Sequence, residues 1–268
     1  MARDYVAATK PVTRGEAGGT GGQRPPRTSA QVTLDWIKSI GAAVLLFLVL
    51  RAFLVQTFVI TSSSMEETLL VGDFLILSKA AYGPLIPFTD ARLPGYTDPR
   101  RGDVVVFRPP HDPGLDVVKR IVGMPGDTLR MEDKTLSING RPAREVYVRH
   151  SDREADVSHP WMRWQCGDRV ALSPDISGAY RVARGGASDG ECRPSRDWWG
   201  PLVVPPGHYF MMGDNRDDSV DSRYWGFLDA DRVRGKAVLI YYSYDPEALR
   251  PFAFLRNVRP GRIGDRIR

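Results

Sequence analysis

The chain predicts a mainly β fold preceded by one apolar N-terminal helix. Short runs rich in β-branched and aromatic residues recur after residue 55, turn chemistry separates them, and the only long apolar stretch lies ahead of them. With 21 Pro and 26 Gly among 268 residues the chain is too rich in turns for a helical bundle. Its 42% hydrophobic content is ample for a buried core.

Residues 1–33 are rich in Gly, Pro, Thr and Arg, with almost no large apolar residue, and predict a disordered tail. There Arg3, Lys10, Arg14, Arg24 and Arg27 face only Asp4 and Glu16, a bias that places the tail in the cytoplasm. The chain then turns apolar from Leu34 to Leu50, with Trp36 and Lys38 as interfacial anchors at one end and Arg51 at the other. This meets the lower limit of about 17 residues for a membrane span. We read 34–51 as a transmembrane anchor with the rest of the chain outside. Two readings compete with it. A cleavable signal peptide has a shorter amino-terminal region, although Ser62 and Ser64 suit the small positions of a cleavage site. A buried soluble helix is rarely so uniformly apolar.

Beyond the span, strands are expected at Val55–Ile60, Phe74–Leu77, Asp103–Phe107, Val117–Val122, Thr128–Ile138, His208–Met212 and Ala237–Tyr242. Val71-Gly-Asp, Arg101-Gly-Asp, Met124-Pro-Gly-Asp, Ile138-Asn-Gly-Arg and Pro205-Pro-Gly separate them, and the Asn-Gly pair signals a hairpin. No amphipathic helix is expected beyond the anchor. Residues 52–140 and 204–268 then form one β domain, interrupted by a polar inserted subdomain at 141–203 that carries both cysteines, Cys166 and Cys192. Neither cysteine sits in a Cys-x-x-Cys or Cys/His cluster, so no metal site is expected. If this region lies outside the cytoplasm, a disulfide is the favoured reading, although sequence does not show whether the two Cα atoms come close enough. The net charge of +5 is modest and no basic run is interleaved with aromatics, so nucleic acid is not an expected partner.

Hydrolase signatures are sparse. Gly186-Ala-Ser188-Asp-Gly190 matches a nucleophile elbow in letters only, since no apolar strand precedes it and no helix follows. The four histidines, His111, His150, His159 and His208, lie in polar loops or at a strand start, which leaves a Ser-His-Asp mechanism without a base. A serine can instead be activated by an uncharged lysine, because burial lowers a lysine pKa by several units. Asp116-Val-Val-Lys119-Arg120-Ile-Val-Gly123 offers one on an apolar strand. Alternation puts Val117, Lys119 and Ile121 on one face and Val118, Arg120 and Val122 on the other, so one cation must point inward. Lysine, which can shed its proton, is the cheaper to bury. A Lys119 that snorkels from an edge strand is the competing reading, and Lys79, at the end of its strand, is a weaker rival base. An extended run over 58–64 would likewise put Phe58, Ile60, Ser62 and Ser64 on one face and Ser63 on the other, offering one hydroxyl to attack and one to stabilise an oxyanion. An ordinary Ser-rich linker explains the same residues equally well.

Four segments in order resemble the boxes of bacterial type I signal peptidases: Ser62-Ser-Ser64-Met65 with Thr68-Leu-Leu-Val-Gly-Asp73, Arg101-Gly-Asp-Val-Val-Val-Phe107, Lys119-Arg-Ile-Val-Gly-Met-Pro-Gly-Asp127, and Gly213-Asp-Asn-Arg-Asp-Asp-Ser219-Val-Asp221-Ser-Arg223-Tyr-Trp-Gly226. The resemblance covers residues 34–245. It implies Ser64 as nucleophile and Lys119 as general base, with the Ser62 hydroxyl and the Ser64 backbone N–H as oxyanion donors. It implies further that Ser219 orients the lysine, that Asp221 and Arg223 brace the loop as an ion pair, and that Gly213, Asp214 and Asn215 form the turn that shapes the site. The implied activity is endoproteolysis of signal peptides on exported preproteins through an acyl-enzyme, without metal or cofactor. Small side chains, typically Ala, are implied at the first and third positions before the cut. The implied fold is a large, mostly antiparallel coiled β-barrel, with apolar loops that touch membrane lipid, for which residues 82–96 are the candidate. The implied location is the bacterial inner membrane, with a single span, a cytoplasmic N-terminus and a periplasmic catalytic domain. Thr61, Ser63 and Glu67 stand where the family usually has Pro, Gly and Pro, which puts substrate preference in more doubt than reaction type. A self-cleaving Ser/Lys repressor-type protease lacks support because residues 1–33 are too short and Gly-rich for a DNA-binding domain. A silent membrane-tethered binding module is the rival of a different class.

Overall fold

The structure is a computed structural model that describes residues 28–86, 89, 91–112, 114–151, 158–166, 169–171, 179–181, 192–246 and 252–268. The chain divides into two units, residues 1–45 and residues 46–268, with the division falling within the first helix. That helix, α1 (Ser29–Phe53), begins earlier than the apolar run predicts, so Ser29–Thr33 belong to helix rather than to the tail. Its start is explained by a capping box that apolar periodicity alone does not show. The Gln31 amide N–H donates to Thr28 Oγ1 at 3.4 Å, while the Thr28 N–H donates to Gln31 Oε1 at 3.1 Å. No residue of α1 is buried, which removes the soluble-core reading. Its 25 residues extend about 37 Å, enough to cross a hydrocarbon core of about 30 Å. Residues 1–27, most of the expected tail, lie outside the described residues.

The second unit is mainly β. In chain order its strands are β1 (Val55–Val59), β2 (Asp73–Ser78), β3 (Val104–Phe107), β4 (Val117–Gly123), β5 (Thr128–Glu132), β6 (Thr135–Ile138), β7 (Arg141–Pro142), β8 (Arg169–Ala171), β9 (Ala179–Arg181), β10 (Trp199–Val203), β11 (His208–Met212), β12 (Leu228–Asp229) and β13 (Val233–Ser243). Two one-turn helices, α2 (Ser222–Trp225) and α3 (Ala253–Arg256), complete it. Seven strands form a curled antiparallel sheet, a half-barrel in the order β1-β2-β13-β3-β4-β11-β12. A second sheet runs β10-β5-β6-β7, and β8 pairs with β9.

The expected single strand over Thr128–Ile138 is two strands. Asp133 and Lys134 adopt φ values of 48° and 64°, which make the two-residue turn of a hairpin. The Asn139-Gly140 hairpin forms as read, with φ values of 53° and 77°. β10, which no strand signal marked, pairs with β5, so the second sheet draws on residues from both sides of position 141.

Two features of the large sheet position the site. β3 pairs with β4 from Val117 to Arg120, and β11 pairs with the other edge only from Arg120 to Gly123. One edge of Val117–Lys119 is thus unpaired by any described strand. β1, at the sheet margin, extends by one residue through Ile60, whose N–H donates to the Asp73 carbonyl and whose carbonyl accepts from Gly72. The chain then turns sharply into a 3-10 turn at Ser63–Met65, seated by the burial of Met65 among Ile60, Leu69, Leu75 and Val104. The expected extension through Ser64 therefore stops at Ser62.

Candidate active site

The turn and strand β4 bring Ser64 and Lys119 together. Lys119 Nζ and Ser64 Oγ are hydrogen-bonded, and their residues are 3% and 7% exposed. Ser62 Oγ lies 3.3 Å from Ser64 Oγ, while Ser63 turns the other way and donates to Asp218 Oδ2. Burial is the main force on Lys119 and lowers its pKa from 10.5 to about 8; the Arg223 charge lowers it too, against the attraction of Asp221, Asp214 and Asp218. Water near pH 8 thus leaves about half of these side chains as free amine, with a lone pair beside a hydroxyl.

The loop from Gly213 to Arg223 closes the site from the β11 side. A Cβ on Gly213 would stand under 3.0 Å from both Ser219 Oγ and the Ser64 carbonyl oxygen, so only glycine fits where this loop crosses the nucleophile turn. The Asn215 N–H donates to the Ser64 carbonyl at 3.1 Å, and its Nδ2 donates to the Ser63 carbonyl at 3.3 Å. Ser219 Oγ donates to Asp221 Oδ2 at 2.8 Å. Asp221 also caps α2, accepting from the Arg223 N–H, and pairs with the Arg223 guanidinium at 2.8 Å with both residues fully buried. That pairing outweighs burial and holds the Asp221 carboxyl below its ordinary value. Arg223 also donates to the Arg216 and Ser219 carbonyls.

The expectation that only one of the two β4 cations is buried is corrected: Arg120 is 1% exposed. Its burial is offset because partners surround the guanidinium on every side. Nε and Nη2 grip Asp214 at 2.8 and 2.6 Å, Nη1 donates to the Gly102 and Arg268 carbonyls, Nη2 reaches Thr68 Oγ1, and the guanidinium lies 3.8 Å over the Tyr147 ring. Asp214 also accepts from Thr68 Oγ1 at 2.6 Å. Arg120, Thr68 and Tyr147 are site-supporting residues that sequence reasoning missed. The adjacency of Arg120 to Lys119 was the available signal, but alternation alone does not reveal a carboxylate on the opposite side.

Other candidates lie elsewhere. Lys79 donates to the Arg51 carbonyl, closing the end of α1. His150 meets Asp217, His208 meets Asp229, His159 packs on Trp161 and Tyr224, and His111 packs on Trp225. Ser188 lies outside the described residues. Cys166 and Cys192 are disulfide-bonded, with Cα atoms 5.6 Å apart. Glu67 carries a φ of 89°, a value that a proline ring forbids. The carboxylates of Glu66 and Glu67 face Arg149 at 2.8 and 4.0 Å.

Residues 33–242 match the family described as Signal peptidase, peptidase S26. The chain is 37% identical over 226 residues to Signal peptidase I of Pseudomonas aeruginosa, covering 80% of this chain and 74% of that protein. It is 36% identical over 222 residues to Signal peptidase I of Pseudomonas fluorescens (79% and 73%) and 32% identical over 269 residues to that of Aquifex aeolicus (82% and 93%). A crystal structure of a signal peptidase I from Enterococcus faecalis aligns with 52% of this chain and 97% of that one, at 29% identity and a TM-score of 0.32.

Proposed function

This chain belongs to the peptidase S26 family of signal peptidases, and from that premise we propose a residue-level account of its reaction. It is a serine endopeptidase that removes signal peptides from exported preproteins. Ser64 Oγ attacks the scissile carbonyl while neutral Lys119 takes the hydroxyl proton. The Ser62 hydroxyl and the Ser64 N–H receive the developing oxyanion. Lys119 returns the proton to the departing amine, and then draws one from the water that cleaves the acyl-enzyme. Ser219 orients the lysine through Asp221, whose carboxylate attracts Lys119 and accepts a hydrogen bond from the Ser219 hydroxyl. Asp221 and Arg223 brace the loop, while Gly213, Asp214 and Asn215 shape its crossing of the nucleophile turn. The single observation that carries this reading is the buried contact of Lys119 Nζ with Ser64 Oγ.

The preprotein lies extended along the unpaired edge of Val117–Lys119, adding main-chain hydrogen bonds to β4. Residues 52–140 and 204–268 act as the catalytic β domain, with 141–203 as a subdomain inserted into its coiled barrel. The family is membrane-bound. We place α1 as a single span with the N-terminus cytoplasmic and the catalytic unit periplasmic, a compartment in which the Cys166–Cys192 disulfide persists. Exposed Leu93 and Tyr96, on the 82–96 segment, suit contact with lipid. The test is cleavage of a detergent-solubilised preprotein by the intact chain, Ser64→Ala and Lys119→Arg, with matched circular dichroism. Both variants should fall to background, since arginine cannot give up its proton. Retained activity in Lys119→Arg places the base elsewhere, and an inert intact chain returns the binding-module reading.

A further inference from the structure

A cavity of about 340 Å³, distinct from the dyad, opens among His111, Trp161, Val220, Tyr224 and Trp225. Its size is that of a small ligand site and its lining is almost wholly apolar. Trp161 is 65% exposed and Val220 53%, so two large apolar side chains are left open to solvent at its rim.

Its walls share a frame with the catalytic loop. Val220 sits between Ser219 and Asp221, and the Tyr224 and Trp225 N–H groups both donate to the Asp221 carbonyl. The turn that carries Trp161 is fastened to the same loop, because Trp164 Nε1 and Gln165 Nε2 each donate to the Arg223 carbonyl at 3.0 Å. Trp225 packs on Phe107 with ring centroids 5.8 Å apart. Phe107 faces Val117 across the β3–β4 ladder, and both belong with Trp225 to one apolar cluster. Val117 shares the face of Lys119, two residues or about 7 Å along β4. A shared apolar cluster thus links one wall of the cavity, Trp225, to Val117 at the start of the β4 segment with the unpaired edge. A chain extended along that edge advances about 3.3 Å per residue and reaches the cavity within a few residues of the reacting carbonyl.

We propose that this cavity is a specificity subsite that takes one large apolar side chain of the preprotein, two to four residues from the scissile bond and not at the small-residue third position before it. The proposal rests on the extended-edge reading of substrate binding given above. The link to that edge selects the occupant: Trp225 shares an apolar cluster with Val117, and Val220 adjoins Ser219, so the preprotein seated beside Lys119 is the chain this cavity would meet. Trp161 supplies a broad contact from the segment between β7 and β10, which lies outside the dyad, so discrimination here adjusts binding without altering the reacting groups.

The test uses the full chain in detergent and a preprotein series in which each of the four positions on either side of the cut is in turn Ala, Leu, Phe or Asp. One position should show a preference for Leu or Phe over Ala of about tenfold in kcat/KM, expressed mainly in KM, with Asp rejected. Trp161→Ala and His111→Ala should each cut that ratio severalfold, and the double variant should abolish it. Absence of any position with more than about a twofold preference overturns the subsite, as does a preference that survives in the double variant. Failure of the underlying reading looks different: the intact chain then cuts no member of the series.

Discussion

At the scale of single residues, the chemistry depends on one cation buried in its discharged form. Lys119 has its pKa near 8 in the folded chain against 10.5 for an ordinary lysine, so below pH 8 it is protonated both folded and unfolded and the whole burial penalty is present. Stability of the intact chain rises between pH 8 and 10.5, where the unfolded state binds the proton that the native state has released. Lys119→Met, with similar bulk and no charge, should therefore be inactive yet more stable at pH 6 by about 1–3 kcal/mol, an upper bound set by the two pKa values. Chemical denaturation at pH 6 and pH 10 checks this, and the gap should shrink at the higher pH. Ser62→Ala should lower kcat about 10²-fold with little change in KM, as loss of one oxyanion donor does. Lys119 and the two serines were legible because alternation, burial cost and the motif order agree. Arg120 was not legible, since its partners come from residues 68, 102, 147, 214 and 268, far apart in sequence.

At the scale of elements, the loop from Gly213 to Arg223 is the stiff part. Its Asp214, Arg216, Asp221 and Arg223 side chains are buried in ion pairs, and removing one partner strands the other in a low-dielectric interior. Asp221→Ala should cost about 3–5 kcal/mol and lower the thermal midpoint accordingly. Gly213→Ala should lose activity even where the chain still folds, because the added methyl collides with Ser219 and the Ser64 carbonyl. Comparison of kcat with the circular dichroism melt separates these two outcomes. Hairpins follow the same logic of local legibility. Asn139-Gly140 announces itself through residues that accept positive φ, whereas Asp133-Lys134 adopts similar angles without glycine and reads as continuous strand. The nucleophile turn was hidden for a related reason: Ser, Ser and Met carry only a weak turn signal, and the burial of Met65 decides the geometry.

At the scale of the whole chain, strand content was readable from β-branched runs but strand order was not. β13 enters between β2 and β3, so the pairing that completes the sheet joins residues more than 120 positions apart, for instance Lys236 with Val105. Periodicity is local and carries no information about such partners. Likewise the apolar run marked a span, but its true start was set by the Thr28/Gln31 box. The proposed topology makes a testable statement about the assembled protein. Protease added outside bacterial cells with a permeabilised outer membrane should degrade the unit after α1, and the Cys166–Cys192 pair should resist alkylation until reductant is added.

The account rests on a lysine that must lose its proton before it can act. The pH dependence of kcat/KM on one preprotein, from pH 5 to 10, tests this most directly. The predicted profile rises with a single proton loss centred near pH 8 and then levels, because protonated Lys119 has no lone pair for the Ser64 hydroxyl. A profile that is flat from pH 6 to 9, or one that rises near the ordinary histidine value of about 6.5, would contradict it.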